Sequence, residues 1–308
     1  MESLVGVTGF VGGNFARQHH FDRSYHSTDI KEAYGTKPDL LVYAGVRAEK
    51  FLANAHPEED LVSIKDAIHN IEMINPKKLV LISTIDVYPV PNAVDEDTPI
   101  DHSTVQPYGK DRLYLEKWVR DNIDNSSIIR LPALFGPGLK KNFVSDLISL
   151  VPSMLSKEKY DELSSQSVDI KDSYQLQPNG FYQLIVKDQN KINLLRQEFI
   201  KLNFTSLNFT DSRTIFSFYN MEQIWQHTQT IIDNKIPLIN MAVEPISAHE
   251  LYNAVTGKDF KNIIRKDPLI YDFKTKYDRV FDGSNGYLVD KKTALSDLVK
   301  FIETNKQW

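Results

Sequence analysis

Two stretches of this chain are apolar almost without a break: Asp39 to Ala44 reads DLLVYA, and Lys78 to Ser83 reads KLVLIS. A strand exposed on one face alternates apolar with polar. A strand covered on both faces does not, and such strands belong to parallel sheets flanked by helices. The intervening sequence supplies the helices. Leu61, Ile64, Ile68, Ile71 and Ile74 recur every three or four residues and so share one helix face. Tyr108 to Ile123 is also helical, with Leu115, Trp118 and Val119 apolar, and Ser127 to Leu131 follows as a strand. Upstream, Leu4-Val5 reads as a first strand, Asn14 to His20 as the start of a helix and Ser24 to Thr28 as a weak strand. Alternation of this kind predicts an α/β fold, a doubly wound parallel sheet with right-handed crossovers.

The second half is less regular. Residues 140 to 210 read as mostly helical and polar, with Pro178 and Gly180 marking a turn. A strand is expected at Thr214 to Phe218, a helix at Met221 to Ile232 and a strand at Pro237 to Ala242. Ser247-x-x-Glu250 is a capping box that opens a helix ended by Gly257, and a last helix is expected from about Lys291 to Thr304. The chain is therefore expected to leave the sheet near residue 135 and to revisit it. The expected division is 1–138 plus about 211–242 in one domain. A smaller, discontinuous C-terminal α+β domain takes about 139–210 plus 243–308.

Composition narrows the classes. The formal net charge is −5, and no basic tract is dense enough to mark a nucleic-acid partner or a membrane surface. There is no cysteine, which excludes disulfides and thiolate metal sites. His19-His20 diverge on a helix and lack a carboxylate partner, so no metal site is expected. No apolar run approaches the roughly 20 residues that span a bilayer, and the start lacks a signal-peptide core. A cytoplasmic protein is the expectation. Asp95-Glu96-Asp97 reads as a solvated loop.

Gly6-Val-Thr-Gly9-Phe-Val-Gly12 sits between the first strand and the first helix. In that context glycines allow a tight turn, backbone approach to a pyrophosphate and close packing of helix on strand. The free N–H groups of the helix start then face the anion. A tight turn without a ligand is the alternative. Asp29 or Asp22 would suit a ribose 2′-hydroxyl, and Arg17 or Arg23 a 2′-phosphate, which leaves NAD and NADP both open. Thr84 ends a strand, where ligands of open α/β sheets bind, and Asp86 follows it. Tyr108 and Arg112 are four apart at a helix start and share a face. A phenol is a poor base at neutral pH, and a fixed cation beside it favours the phenolate. Tyr108 with Arg112 is thus a candidate proton-transfer pair. Arg130 to Gly138 leaves the sheet through a Pro/Gly turn.

These stretches together resemble the extended short-chain dehydrogenase/reductase superfamily, the NAD-dependent epimerase/dehydratase family of nucleotide-sugar enzymes. The matching segments are GVTGFVGG (6–13), KPDLLVYAG (37–45), KKLVLISTIDVYP (77–89), QPYGKDR (106–112) and IIRLPALFGPG (128–138). SRTIFSFYNMEQIW (212–225) is similar to the segment that brings an Arg toward the substrate diphosphate. The resemblance implies a Rossmann sheet, NAD or NADP as cofactor, a nucleotide-sugar substrate and, often, a homodimer. It places dinucleotide contacts at Gly6, Thr8, Gly9, Phe10, Val11, Gly12, Asp29, Ala44, Gly45 and Leu131. Substrate contacts fall at Arg47, Pro132 and Arg213, and Thr84, Asp86, Tyr108 and Arg112 are the catalytic candidates. Two departures matter. Arg112 stands where the family has Lys, and the two cations are not interchangeable at an oriented site. Ile85-Asp86 replaces the Asp-Glu pair of the sugar dehydratases, which favours epimerisation or keto reduction over dehydration. The short segment between Gly12 and Asp39 resembles the 4-keto-sugar reductases and leaves room for one strand fewer. The alternative function is a catalytically weak NAD(P)-binding sensor or scaffold.

Overall fold

The computed structural model describes residues 1–306. The chain divides into two compact units, each assembled from three segments. Unit 1 comprises Met1–Leu139, Phe216–Pro245 and Ile270–Ala294. Unit 2 comprises Lys140–Ile215, Ile246–Leu269 and the stretch beginning at Leu295.

Unit 1 is built on a six-stranded sheet. Its strands are β1 (Glu2–Val5), β2 (Arg23–Tyr25), β3 (Leu40–Tyr43), β4 (Leu79–Thr84), β5 (Ser126–Leu131) and a last strand, Leu238–Asn240. In space the order is Leu238–Asn240, β5, β4, β3, β1, β2, with every neighbouring pair parallel. This is the Rossmann-type sheet that the apolar runs predict. The order turns back at β1 and β3, and ligands of such sheets bind outside the strand ends at that point. The helices are α1 (Phe10–Gln18), α2 (Lys50–Ala55), α3 (Pro57–Ile74) and α4 (Pro107–Asn122).

The edge strand differs from the weak strand expected at Ser24 to Thr28 and spans Arg23–Tyr25. The Asp29 carboxylate accepts the His26 N–H at 2.6 Å, which closes a turn and stops β2 at Tyr25. Only a 3-10 turn, Ile30–Ala33, follows before β3. No strand lies outside β2 among the described residues.

Helix α3 shows why local sequence suffices here. Pro57 opens it, Glu58, Glu59 and Asp60 put negative charge in its first turn, and Asn75 ends it in the left-handed conformation. Its buried face, Ile64, Ala67, Ile71 and Ile74, joins Leu41, Tyr43, Leu79 and Leu81 of the sheet and Leu115 and Val119 of α4 in one cluster. Burying each such Ile or Leu contributes about 1.5–3 kcal/mol.

Residues 270–294 correct the division expected from sequence, since they lie in unit 1. Their backbone is hydrogen-bonded there: Asp272 N–H to Pro91 O at 2.9 Å, Lys274 N–H to Val94 O at 2.7 Å and Leu288 N–H to Ala242 O at 2.9 Å. The acidic 95–97 loop is likewise not merely solvated. The Glu96 carboxylate accepts the Asn240 N–H at 2.7 Å and the Lys276 N–H at 3.0 Å.

Unit 2 contains α5 (Phe143–Ser149), further helices at Lys157–Ser164, Val168–Ser173 and Gln189–Lys201, and a small antiparallel sheet. That sheet orders Met154–Leu155, Tyr182–Leu184 and Tyr174–Leu176. Strands of two and three residues carry too little alternation to be read from sequence. Leu155, Leu163, Ile170, Tyr174, Leu195 and Phe199 form the unit's core. The Ser247–Glu250 capping box and the left-handed Gly257 bound the helix Ala248–Thr256 as expected. Among the described residues no helix is long and apolar enough to cross a membrane.

Ile71 has no exposed surface. Ile71→Ala should lower the stability of unit 1 by about 2–5 kcal/mol, read as a fall in the urea midpoint with an unchanged slope.

Candidate active site

The glycine turn is fixed by backbone contact. Gly6 has φ +92°, a left-handed value that favours glycine. Its N–H donates to Tyr25 O at 2.9 Å and its carbonyl accepts the Gly9 N–H at 2.9 Å. A Cβ on Gly12 would stand 2.2 Å from Gly6 O, so α1 packs on the turn only with glycine there. Gly9 differs: its φ is −72°, and a Cβ would meet only Gly6 O, at 3.2 Å. Nothing caps α1 with a side chain. Its first-turn N–H groups at Phe10, Val11 and Gly12 therefore stand at a bare helix start, beside exposed Thr8. Close backbone packing at Gly6 and Gly12, with exposed Gly9 and uncapped first-turn donors facing outward, fits a pyrophosphate. Ala44 and Gly45 follow β3 at the other side of the turn, with Ala44 N–H bonded to Val5 O at 2.9 Å. Asn14, buried, donates to Phe10 O and Pro137 O and ties α1 to the exit from β5.

The strand-end segment and the start of α4 are pressed together at Gly109. A Cβ there would lie 2.1 Å from the Asp86 carbonyl oxygen. That contact sets the Tyr108 turn directly on the Thr84–Asp86 peptides. Thr84 is opposite Leu131 on neighbouring strands, at the C-terminal ends, with Pro132 next in the chain. The Thr84 hydroxyl accepts the Asp86 N–H at 3.2 Å and caps the one-turn helix Ile85–Val87. Its own hydrogen stays available to donate.

Asp86 pairs with Lys50 of α2 at 2.7 Å. Asn54, one turn beyond Lys50, accepts the Tyr108 N–H at 3.0 Å. Lys50 lies 6.0 Å from the Tyr271 ring centroid. Burial opposes its charge, but Asp86 and Tyr271 outweigh burial, and its pKa is raised. Sequence reading missed Lys50 and Asn54, although their i, i+4 spacing after β3 is the signal that finds them.

Arg112 does share a face with Tyr108, its guanidinium carbon 4.0 Å from the ring centroid. It is nevertheless fully engaged. It is ion-paired with Asp60 and donates to Arg47 O at 2.5 Å and Tyr108 O at 3.4 Å, with 4% of its surface exposed. The Tyr108 phenol is raised above its ordinary pKa: burial dominates, Arg112 and Lys50 pull it down, and Asp86 and Asp60 push it up. Arg112 acts on the phenol in the direction expected from sequence, and burial outweighs it. Desolvation of a buried phenol outweighs a cation already neutralised by Asp60.

Other candidates fall elsewhere. Asp29 lies past the end of β2, its carboxylate taken up by His26 N–H. The Arg47 side chain is exposed. Arg213 belongs to unit 2, where its Nε and Nη2 grip Asp211 at 2.9 and 2.8 Å and Nη2 donates to Arg265 O at 2.5 Å. Asp211 is buried and held well below the usual carboxylate range, by the Arg213 hydrogen bond above all.

The fold is that of a Rossmann-type α/β protein, and comparison with known proteins places it further. Residues 25–169 match the model of the NAD dependent epimerase/dehydratase family, which bears out the resemblance read from the sequence. No curated protein sequence matches the chain. Solved structures share its fold along nearly its whole length. A dTDP-4-dehydrorhamnose reductase from Clostridium acetobutylicum is 14% identical, with 99% of each chain covered and a TM-score of 0.62. The dTDP-4-dehydrorhamnose reductase of Bacillus anthracis, solved with NADP, is 12% identical over 98% of this chain and 97% of that one, TM-score 0.64. The Bordetella bronchiseptica enzyme WbmG, solved with NAD and UDP, is 12% identical over 98% of this chain and 94% of that one, TM-score 0.62.

Beside Asp60, Asp111 carries a second carboxyl whose Oδ2 has no donor among the described residues. Burial and then Asp60 push it up to about 6 from 3.8. The native state thus binds more protons than the unfolded chain between those values, and this group's contribution to stability is lost as pH rises through about 6. Asp111→Asn should raise the thermal midpoint at pH 8, with the gain vanishing below about pH 4; scanning calorimetry of both proteins at the two pH values reads this directly.

Proposed function

We propose that this protein binds NAD or NADP at the Gly6–Gly12 turn and reduces the keto group of a nucleotide-linked sugar, with epimerisation as the related outcome. The observation that carries the reading is the close packing of Gly109 on Asp86. It seats the helix turn that carries Tyr108 on the segment that follows Thr84 at the C-terminal end of β4, and the reading takes the phenol and the hydroxyl to share one substrate oxygen. The dTDP-4-dehydrorhamnose reductases that share the fold support reduction of a 4-keto sugar.

The bound nicotinamide would supply the hydride. The first-turn amides of α1 would hold the pyrophosphate. Tyr108, a phenol and so neutral near pH 7, would donate its phenolic proton to the carbonyl oxygen as that oxygen gains charge. The carbonyl carbon gains a hydride, its oxygen gains the Tyr108 proton, and an alcohol results. Thr84 donates a hydrogen bond to the same oxygen. Arg112, and to a smaller extent Lys50, favour the phenolate that proton transfer leaves behind. Arg112 also holds α4 to Asp60 and to the Arg47 carbonyl, and so positions Tyr108 from behind.

A second reading, a dinucleotide-binding protein with weak or no turnover, is favoured by the engaged Arg112 and by the raised Tyr108 phenol. The two readings separate by following nicotinamide absorbance with a panel of nucleotide 4-keto sugars. The first reading expects turnover by the wild type. Tyr108→Phe should then lose about 10²–10⁴-fold with dinucleotide affinity unchanged. Lys50→Met should lower kcat and move the basic limb of the pH profile upward. Turnover by Tyr108→Phe equal to the wild type contradicts the assignment. Dinucleotide binding with no turnover of any sugar gives the second reading.

A further inference from the structure

Unit 2 contains a cavity of about 570 Å³ that the mechanism above does not use. Met154, Phe181, Phe204 and Phe209 supply its apolar walls. Phe204 and Phe209 meet edge to face with centroids 5.6 Å apart, which makes a rigid aromatic corner. The size falls within the range of small-molecule sites, as does the combination of apolar walls with a few polar groups.

The unusual group is Asp146 of α5. Its carboxyl lines the cavity and has no hydrogen-bond or ion-pair partner among the described residues. The side chain is half-buried, and its burial pushes the carboxyl up to about 7. A carboxylate in such a place is completed by a ligand that brings N–H donors. Two cations share the lining, Lys141 and Lys159, the latter 4.9 Å from the Phe204 centroid and paired with Glu162 at 2.6 Å. They disfavour a cationic amine and favour a ligand with an anionic part.

We propose that this cavity binds a guanine nucleotide, the base stacked in the Phe204–Phe209 corner with its edge on Asp146 and its phosphate toward Lys141 and Lys159. Guanine is singled out by hydrogen-bond pattern. Its N1–H and N2–H₂ are adjacent donors, which match the two oxygens of a carboxylate. Uracil and thymine present carbonyl oxygens on either side of one N–H, and adenine and cytosine pair a single amino group with a bare ring nitrogen; each sets an acceptor against Asp146. Where the nucleotide-sugar reading holds, the inference names the nucleotide half of that substrate. Its test reads binding alone and so succeeds or fails separately from turnover.

The test is calorimetric titration of the full chain with GMP, UMP and XMP. GMP should bind and UMP should not, and GMP affinity should fall as pH drops through about 7, where Asp146 takes up its proton. Asp146→Asn replaces one acceptor with a donor. It should cost about 10- to 100-fold in GMP affinity while gaining XMP, whose extra carbonyl meets the amide. GDP-mannose bound at least as tightly as GMP, and lost in Asp146→Asn, identifies the nucleotide half of a sugar donor. GMP bound with GDP-mannose rejected identifies a free nucleotide. Absence of GMP binding, UMP bound as tightly as GMP, or wild-type GMP binding that ignores pH would each overturn the proposal, all three without recourse to a variant that has to fold.

Discussion

One row of side chains on α4 organises the candidate site. Tyr108, Arg112 and Glu116 follow one another at four-residue spacing and face inward, all buried. Glu116, with no exposed surface, takes both Nε and Nη2 of Arg130 on β5, at 3.0 and 2.6 Å, and the Ser83 hydroxyl of β4 at 2.6 Å. Arg130 also donates to the Tyr88 hydroxyl at 2.8 Å. A carboxylate in a dry interior is costly unless each lone pair finds a donor, and here they do. The pair therefore specifies one seating of α4 on the sheet. Removing either partner would leave a buried charge, at a cost of about 3–5 kcal/mol. One turn toward the N-terminus, Arg112 repeats the device with Asp60 of α3. Tyr108, one turn further, is what these two clamps hold in place.

Geometry at the helix start then follows. With its second and third turns fixed, α4 meets the Asp86 peptide so closely that only glycine fits at 109. The same pressure buries Tyr108 and raises its pKa.

The sheet was legible because its signal is local and redundant. The apolar runs at 40–43 and 79–82 match strands covered on both faces, and α3 carries both a capping pattern and a buried stripe. Unit 2 was less so. Its sheet is made of strands two or three residues long, and residues 270–294 reach unit 1 through backbone hydrogen bonds that side-chain patterns do not record. In the site, glycine spacing and the Tyr108–Arg112 face were legible. Partners were not: nothing in the sequence says that Asp60, far upstream, takes Arg112, or that Lys50 reaches Asp86. Arg112 lowers the phenol's pKa as its spacing suggests, but burial, which the sequence does not record, outweighs it.

The account rests on the glycine turn being an anion cradle, and Gly9 is the position at which this is most directly read. Its φ is ordinary and a side chain meets only Gly6 O, at 3.2 Å, so Gly9→Val leaves the turn able to fold while covering the bare start of α1. The measurement is a fluorescence titration of NADH and NADPH into wild type and Gly9→Val, with the thermal transition of each recorded alongside. The account predicts binding of at least one dinucleotide by the wild type and its loss in a variant whose transition is unchanged. A folded Gly9→Val protein that binds dinucleotide as the wild type does, or a wild type that binds neither, would contradict it.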